Sequence, residues 1–230
     1  SSRRKFSKLD SPATIGKIAA ERTLRRLGAR RVKTQDAPIV FDPQMAASLL
    51  RHLAGAISGS ALYRKTSFLL GKLGEQIATP NVSILDDARI PSALGSKPFD
   101  GEGLPTQRTT VVKDGVLNSY LLDCYSARKL GMQSTGSASR SFSDAPSAST
   151  TNLFLEPGTV SPEEIIRSVH SGLYVTELSG FGVNPVTGDY SRGATGLWIE
   201  NGELAYPVEE ITIAGNLLSM FQSIEVIGND

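Results

Sequence analysis

The stretch "SLLRHLAGAISG", residues 48–59, sets His52 in an apolar run with helical spacing. A zinc peptidase helix needs two imidazoles that converge on one ion and a carboxylate that takes a proton from the bound water. This stretch supplies one imidazole, and no acidic residue lies between Asp42 and Glu75. The chain's other histidine, His170, follows a second expected helix far away in sequence. A two-histidine site assembled across the fold stays open on these grounds, beside a structural or surface role for both residues.

Other nucleophiles fare no better. The single Cys124 lies in "LLDCYSARK", where the neighbouring carboxylate of Asp123 raises a thiol pKa, so it reads as a semi-buried structural cysteine. The S-x-x-K spacing from Ser126 to Lys129 carries little weight: 27 serines and nine lysines give roughly one such match by chance, and "SRRK" at the start is another. No G-x-S-x-G elbow, Walker-type loop or G-x-G-x-x-G after an expected strand occurs.

The most unusual stretch is "GFGVNPVTGDYSRGATG", with five glycines and one proline in 17 residues. Between its glycines stand Asn184, Thr187, Asp189, Ser191 and Arg192, a tight backbone with polar side chains held close together. Asn184, Thr187, Gly188, Asp189, Ser191, Arg192 and Gly193 are therefore candidates for contact with a peptide or a partner. An Asx-type turn, whose polar side chains satisfy their own backbone, accounts for the same residues, and the sequence leaves both open.

The elements that must position these residues fall into two groups. "DSPATIGKIAAERTLRRLG" offers Ser11 as N-cap, Pro12 at the first helical position and Gly28 as a stop. "FDPQMAASLLRHLAGAIS" repeats the device with Asp42 and Pro43. In it Met45, Ala46, Leu49, Leu50, Leu53, Ala56 and Ile57 share one face, with His52 just beyond its edge and Arg51 pointing away. From about residue 80 the signals change to strands. Asp114-Gly115 and Asn201-Gly202 mark type I′ hairpins, and "NLFLEPG", "GLYVTELSG" and "VEEITIAG" read as further strands. "SPEEIIRSVHSG" reads as a short helix with a Ser161–Glu164 capping box. Residues 134–151, with seven serines, read as a long mobile loop. The expected class is α+β: N-terminal helices, then mostly antiparallel sheets with hairpins.

Composition bounds the rest. Hydrophobic residues at 40% and charged residues at 20% over 230 residues describe a folded globular chain. No apolar run approaches the length of a membrane span and "SSRRKFSKLD" lacks a signal-peptide core, so a soluble, cytoplasmic protein without a membrane partner is expected. One cysteine forms no internal disulfide. Residues 1–33 carry eleven Lys/Arg against Asp10 and Glu21, a net of +9, which leaves −8 on the remainder of a chain whose total is +1. That basic helical segment, 1–33, is set apart from an α+β domain at 34–230. Phe6 is its one aromatic residue, which disfavours nucleic acid as a partner because bases need rings to stack on.

The stretch "GLYVTELSGFGVNPVTGDYSRGATGLWIENGELAYPVEEITIAGNL" closely resembles the C-terminal part of the TldD/PmbA family, often labelled modulators of DNA gyrase, in its PmbA (TldE) branch. The similarity extends through "LGSKPFDGEGLPTQRTTVVKDGVLNSYLLDCYSARKLGMQSTGSASR" and "APIVFDPQMAASLLRHLAGAISGSALYRKTSFL", nearly the whole chain, with the family's N-terminal domain unmatched. The resemblance implies a TldD/PmbA C-terminal fold and a cytoplasmic proteolytic system in which TldD and TldE pair as a heterodimer. In that pair TldD carries a zinc-binding HExxxH helix. It puts Arg51 and His52 where TldD has its first His and its Glu, and Ala56 at the second His.

These residues do not suit zinc. The expectation is a non-catalytic subunit with no metal of its own, a TldD-type partner that holds zinc, and unfolded peptides as substrate, such as antibacterial-peptide precursors. A metallopeptidase acting as a homodimer and a regulator that contacts DNA or gyrase are the alternatives.

Overall fold

The computed structural model describes residues 2–230. Helix α1, Pro12–Leu24, starts where Ser11 accepts the Thr14 amide, with Pro12 in the first turn. It ends before the expected stop at Gly28. The last residues tighten to i→i+3 bonds, Arg26 to Thr23 and Leu27 to Leu24, before Gly28 reverses the chain in the left-handed region. No residue of α1 is buried. Arg22 ties it to Asp42 (3.4 Å) and Gln44 (2.8 Å), and Arg26 to Glu177 (2.5 Å).

Strand β1, Ile39–Phe41, leads into α2, Pro43–Ala56, capped by Asp42 through the Gln44 amide. A short helix α3, Gly59–Tyr63, follows, capped by Ser58. The first sheet is built from β2 (Ile84–Asp87), β3 (Arg108–Lys113), β4 (Val116–Leu117) and a later strand, β7 (Leu153–Leu155). Its spatial order is β4-β3-β2-β7, antiparallel throughout. The expected hairpin forms at Asp114-Gly115, both at positive φ, but its second arm is short. After Leu117 the chain leaves the sheet, and Leu121 exchanges hydrogen bonds with Ile57 and Gly59 instead.

Helix α4, Cys124–Leu130, carries a capping box between Asp123 and Ser126. Residues 134–151 are not one structureless loop: β5 (Ala138–Ser139) pairs with β6 (Ser147–Ala148), and Ser137 and Ala138 are buried. The correction has a plain cause. The buried Asp100 carboxylate accepts the Ala138 amide at 3.0 Å, a long-range tie that serine-rich composition cannot reveal.

Helix α5, Pro162–Ser168, has the expected Ser161–Glu164 box. The second sheet then uses three long strands, β8 (Ser171–Val183), β9 (Asp189–Glu200) and β10 (Glu203–Asn216), in the order β1-β8-β9-β10. β1 joins β8 in parallel and the others pair antiparallel. Asn201 and Gly202 make the β9–β10 turn at positive φ. Helix α6, Leu217–Phe221, follows β10, and beyond it Gly228 bridges to Val160. The fold is α+β, and among the described residues no helix is long and apolar enough to cross a membrane.

Helix α2 joins the two cores. Leu53, Ala56 and Ile57 are buried in the larger one, with Ile77, Val111, Leu117, Leu121 and Leu122, while Met45 packs on the smaller one around Leu173, Val175, Trp198 and Val208. Burying an aliphatic side chain of this size contributes roughly 1.5–3 kcal/mol. The helix is thereby fixed against both sheets.

Candidate functional site

On α2 the three residues that could mark a metal helix meet different fates. Arg51 is exposed, His52 is half-buried and Ala56 is 2% exposed in the larger core. The His52 ring stands edge-on to the Tyr190 ring of β9, with centroids 6.1 Å apart. Its Nε2 and the Tyr190 hydroxyl are both buried and meet no hydrogen-bond partner among the described residues. Burial, then the positive charges of Arg192 and Arg51, hold the His52 pKa below its ordinary value. The neutral imidazole is thus favoured, and its ring packs edge-on against an aromatic ring.

A guanidinium, one imidazole and a methyl group do not make a zinc donor set. Among the described residues no group of three or more His, Cys, Asp or Glu side chains is placed to hold a metal ion. His170 is exposed after α5, where its carbonyl accepts the Asn201 amide. Ser126 is buried and spent on the α4 cap, and Lys129 lies over the Tyr125 ring at 5.6 Å. The Cys124 thiol pKa is raised, as the adjacent acid suggested, but the cause is a hydrogen bond to Glu102 and not Asp123, which is occupied in capping.

The glycine-rich stretch is a β-hairpin, not a free loop. β8 continues to Val183, β9 begins at Asp189, and five residues turn between them. Asn184 Oδ1 accepts the Val186 amide (3.0 Å) and the Thr187 amide (3.4 Å), an Asx turn. Thr187 Oγ1 donates to Asp189 Oδ2 at 2.6 Å, and Asn216 Nδ2 donates to the Thr187 carbonyl at 2.9 Å and to Asp189 Oδ1 at 3.3 Å. These bonds hold the Asp189 carboxyl below the usual range. The polar side chains of Asn184, Thr187 and Asp189 are exposed, yet each is engaged within the turn or with Asn216.

The seven candidates do not converge. Gly188, at φ +82°, is buried below Phe68 and Asn216, where a Cβ would lie 3.2–3.4 Å from them. Strand alternation sends Tyr190 and Arg192 toward one face of β9 and Ser191 and Gly193 toward the other. Arg192 Nε donates to the Ser179 carbonyl at 3.1 Å, and Gly193 faces Ser179 so closely that a Cβ would collide with its hydroxyl. Phe68 and Asn216 fasten the hairpin: the Phe68 amide donates to Pro185 at 2.9 Å and the Leu217 amide to Gly188 at 2.7 Å. Neither was singled out from the sequence. Asn216 alone gave a signal, as a polar residue before the apolar start of α6, the position of a helix cap.

A family profile described as the PmbA/TldA metallopeptidase C-terminal domain matches residues 34–230. The chain belongs to the PmbA/TldD metallopeptidase family. It is 45% identical to Metalloprotease PmbA of Escherichia coli O157:H7, over 99% of this chain and 48% of that protein. With the Metalloprotease TldD homolog of Haemophilus influenzae the identity is 29%, over 94% of this chain and 45% of that protein. The fold superimposes on TldE from Thermococcus kodakarensis with a TM-score of 0.85 and 28% identity, covering 95% of this chain and 50% of that one. A Thermotoga maritima protein described as a candidate modulator of a DNA gyrase gives 0.91 and 36%, covering 99% and 52%. The chain spans about half the length of the relatives it matches. A metalloprotease-like PmbA/TldD domain thus presents a helix at residues 43–56 whose side chains are used for packing.

Proposed function

We propose that this chain is the non-catalytic, TldE-type subunit of a two-chain metalloprotease that acts on unfolded peptides, with zinc held by a TldD-type partner. The observation that carries the reading is the helix at residues 43–56, where Arg51, His52 and Ala56 occupy positions that a zinc site would need and are exposed, set edge-on to Tyr190 and buried in turn. Long strands such as β8–β10 suit a wall that admits extended chains, since strand-like peptides are held by main-chain hydrogen bonds. The greater identity to PmbA than to TldD relatives supports the assignment to the metal-free side of the pair.

The test is reconstitution. A full-length protein containing this chain, alone, is expected to leave an unfolded peptide intact; mixed with an HExxxH-bearing sibling it is expected to give cleavage that chelators abolish. Single changes such as Arg51→His or His52→Glu are expected to create no activity, because ligands, base and supporting shell must be present together. Cleavage by the purified chain without the sibling would overturn the proposal.

One observation favours a second reading. The relatives named Metalloprotease PmbA carry the activity in their own name, so a peptidase acting as a homodimer, with metal bound by other residues, is the competing account. Zinc stoichiometry separates the two.

A further inference from the structure

The basic N-terminal stretch is not absorbed by the account above, and the fold changes its meaning. Taken alone it had almost no aromatic residues, but residue 30 lies against β10: the Arg30 amide donates to the Pro207 carbonyl (3.1 Å) and the Glu209 amide to the Arg30 carbonyl (3.3 Å). A groove of about 390 Å³ opens there, lined by Arg30, Arg31, Lys33, Gln35, Trp198 and Tyr206 among others, with no acidic residue in its lining. The Arg30 guanidinium stacks 3.6 Å above the Tyr206 ring centroid and makes no hydrogen bond or ion pair among the described residues. Lys33 has no ionic partner among them, whereas Arg31 is paired with Glu210.

Two features select the ligand. Base stacking needs an open ring face, but Trp198 is 6% exposed and Arg30 covers Tyr206, so nucleic acid is a poor fit. An arginine held flat on a ring keeps its N–H edge free and loses little further freedom when a carboxylate docks on it side-on. The groove's lining carries no acidic residue, and Arg30 and Lys33 have no ion pair among the described residues, so its charge complements a segment that bears several carboxylates. We propose that this groove is a docking site for an acidic peptide segment, whose carboxylates engage Arg30 and Lys33. It lies at the end of the β9–β10 pair opposite the Gly188 turn, roughly 25–30 Å along the strands, and the proposal stands independently of the subunit role.

The chain's single tryptophan, Trp198, lines the groove and reports on it. Titration of the full chain with an oligo-glutamate peptide is expected to change Trp198 emission saturably, with affinity that falls as salt rises. Arg30→Gln and Lys33→Gln are each expected to weaken binding roughly tenfold while circular dichroism stays unchanged, and Lys113→Gln on the other sheet is expected to leave it alone. Oligo-glutamine is expected not to bind. No saturable binding of oligo-glutamate, or unchanged affinity in both groove variants, would overturn the proposal. So would tighter binding of single-stranded oligothymidylate, or inorganic phosphate binding as tightly as the peptide.

Discussion

In the short sheet Ile84, Leu85, Val111, Val112 and Leu117 are each at or below 4% exposure, and even Asp86 is buried, its carboxylate accepting the Thr151 amide at 2.8 and 3.1 Å. In the long sheet β8, β9 and β10 run 12–14 residues, against 2–6 in the short one, yet Ser179 to Gly182 on β8 and Thr212 and Ala214 on β10 meet solvent. One sheet is held by apolar burial across its two central strands. In the other, burial gathers toward the β1 end around Leu173, Val175, Trp198 and Ile199, with Tyr190 alone fully buried beside the far turn, and that far end is fastened by backbone bonds to Phe68 and Leu217 and by the Asn216 side chain. Stability therefore resides in the first, and the second has surface to spare for contacts with other chains.

That contrast predicts a ranked series of stability losses, read by urea denaturation. Gly115→Val strikes the short sheet where φ is +82° and a Cβ would collide with the Ala78 and Thr79 carbonyls, so a loss of about 4 kcal/mol or failure to fold is expected. Leu53→Ala, in the core beneath the same sheet, is expected to cost about 3 kcal/mol. Gly188→Val at the far end of the long sheet, with the same φ but looser surroundings, is expected to cost about 2 kcal/mol. If the account of that end is right, this variant and Gly193→Val impair reconstituted peptide cleavage beyond what their stability explains. Equal losses at Gly115 and Gly188 would erase the contrast.

Two smaller effects probe the joint between α2 and β9. Tyr190→Phe removes a hydroxyl that has no partner among the described residues, so a change below about 0.5 kcal/mol is expected despite its 1% exposure. His52 is predicted to impose a pH dependence. Its folded pKa lies below the ordinary 6.5, so the unfolded chain takes up the proton first as pH falls. The stability tied to neutral His52 is present above pH 6.5 and lost as pH drops through the lower folded value. Denaturation midpoints measured between about pH 7.5 and about pH 5 are expected to fall less steeply in His52→Gln than in the parent chain. An identical slope in both would remove His52 from the joint.

The parts legible in the sequence were those set by neighbours along the chain. Ser11, Asp42 and Ser161 declared helix starts because each caps an amide two or three residues on, and Asp114-Gly115 and Asn201-Gly202 declared turns because few residue pairs accept positive φ twice. What escaped depends on distant partners. Nothing near His52 announces Tyr190, nothing near Arg30 announces Tyr206, and the pairing of β5 with β6 follows from Asp100. Of the site, residue types showed one imidazole and no nearby acid around His52, and only the family resemblance singled out Arg51 and Ala56 beside it, whereas the Asx turn at Asn184 was one of two open alternatives until the hydrogen bonds resolved its geometry.

The central claim is that this chain contributes scaffold and surface to a metalloprotease and leaves the metal to its partner. Elemental analysis of the full-length protein, purified without the sibling and without chelators, tests it most directly. Zinc far below one equivalent per chain is predicted, and it should stay so in His52→Gln; one tightly held zinc per chain would contradict the account and transfer the catalytic role to this subunit.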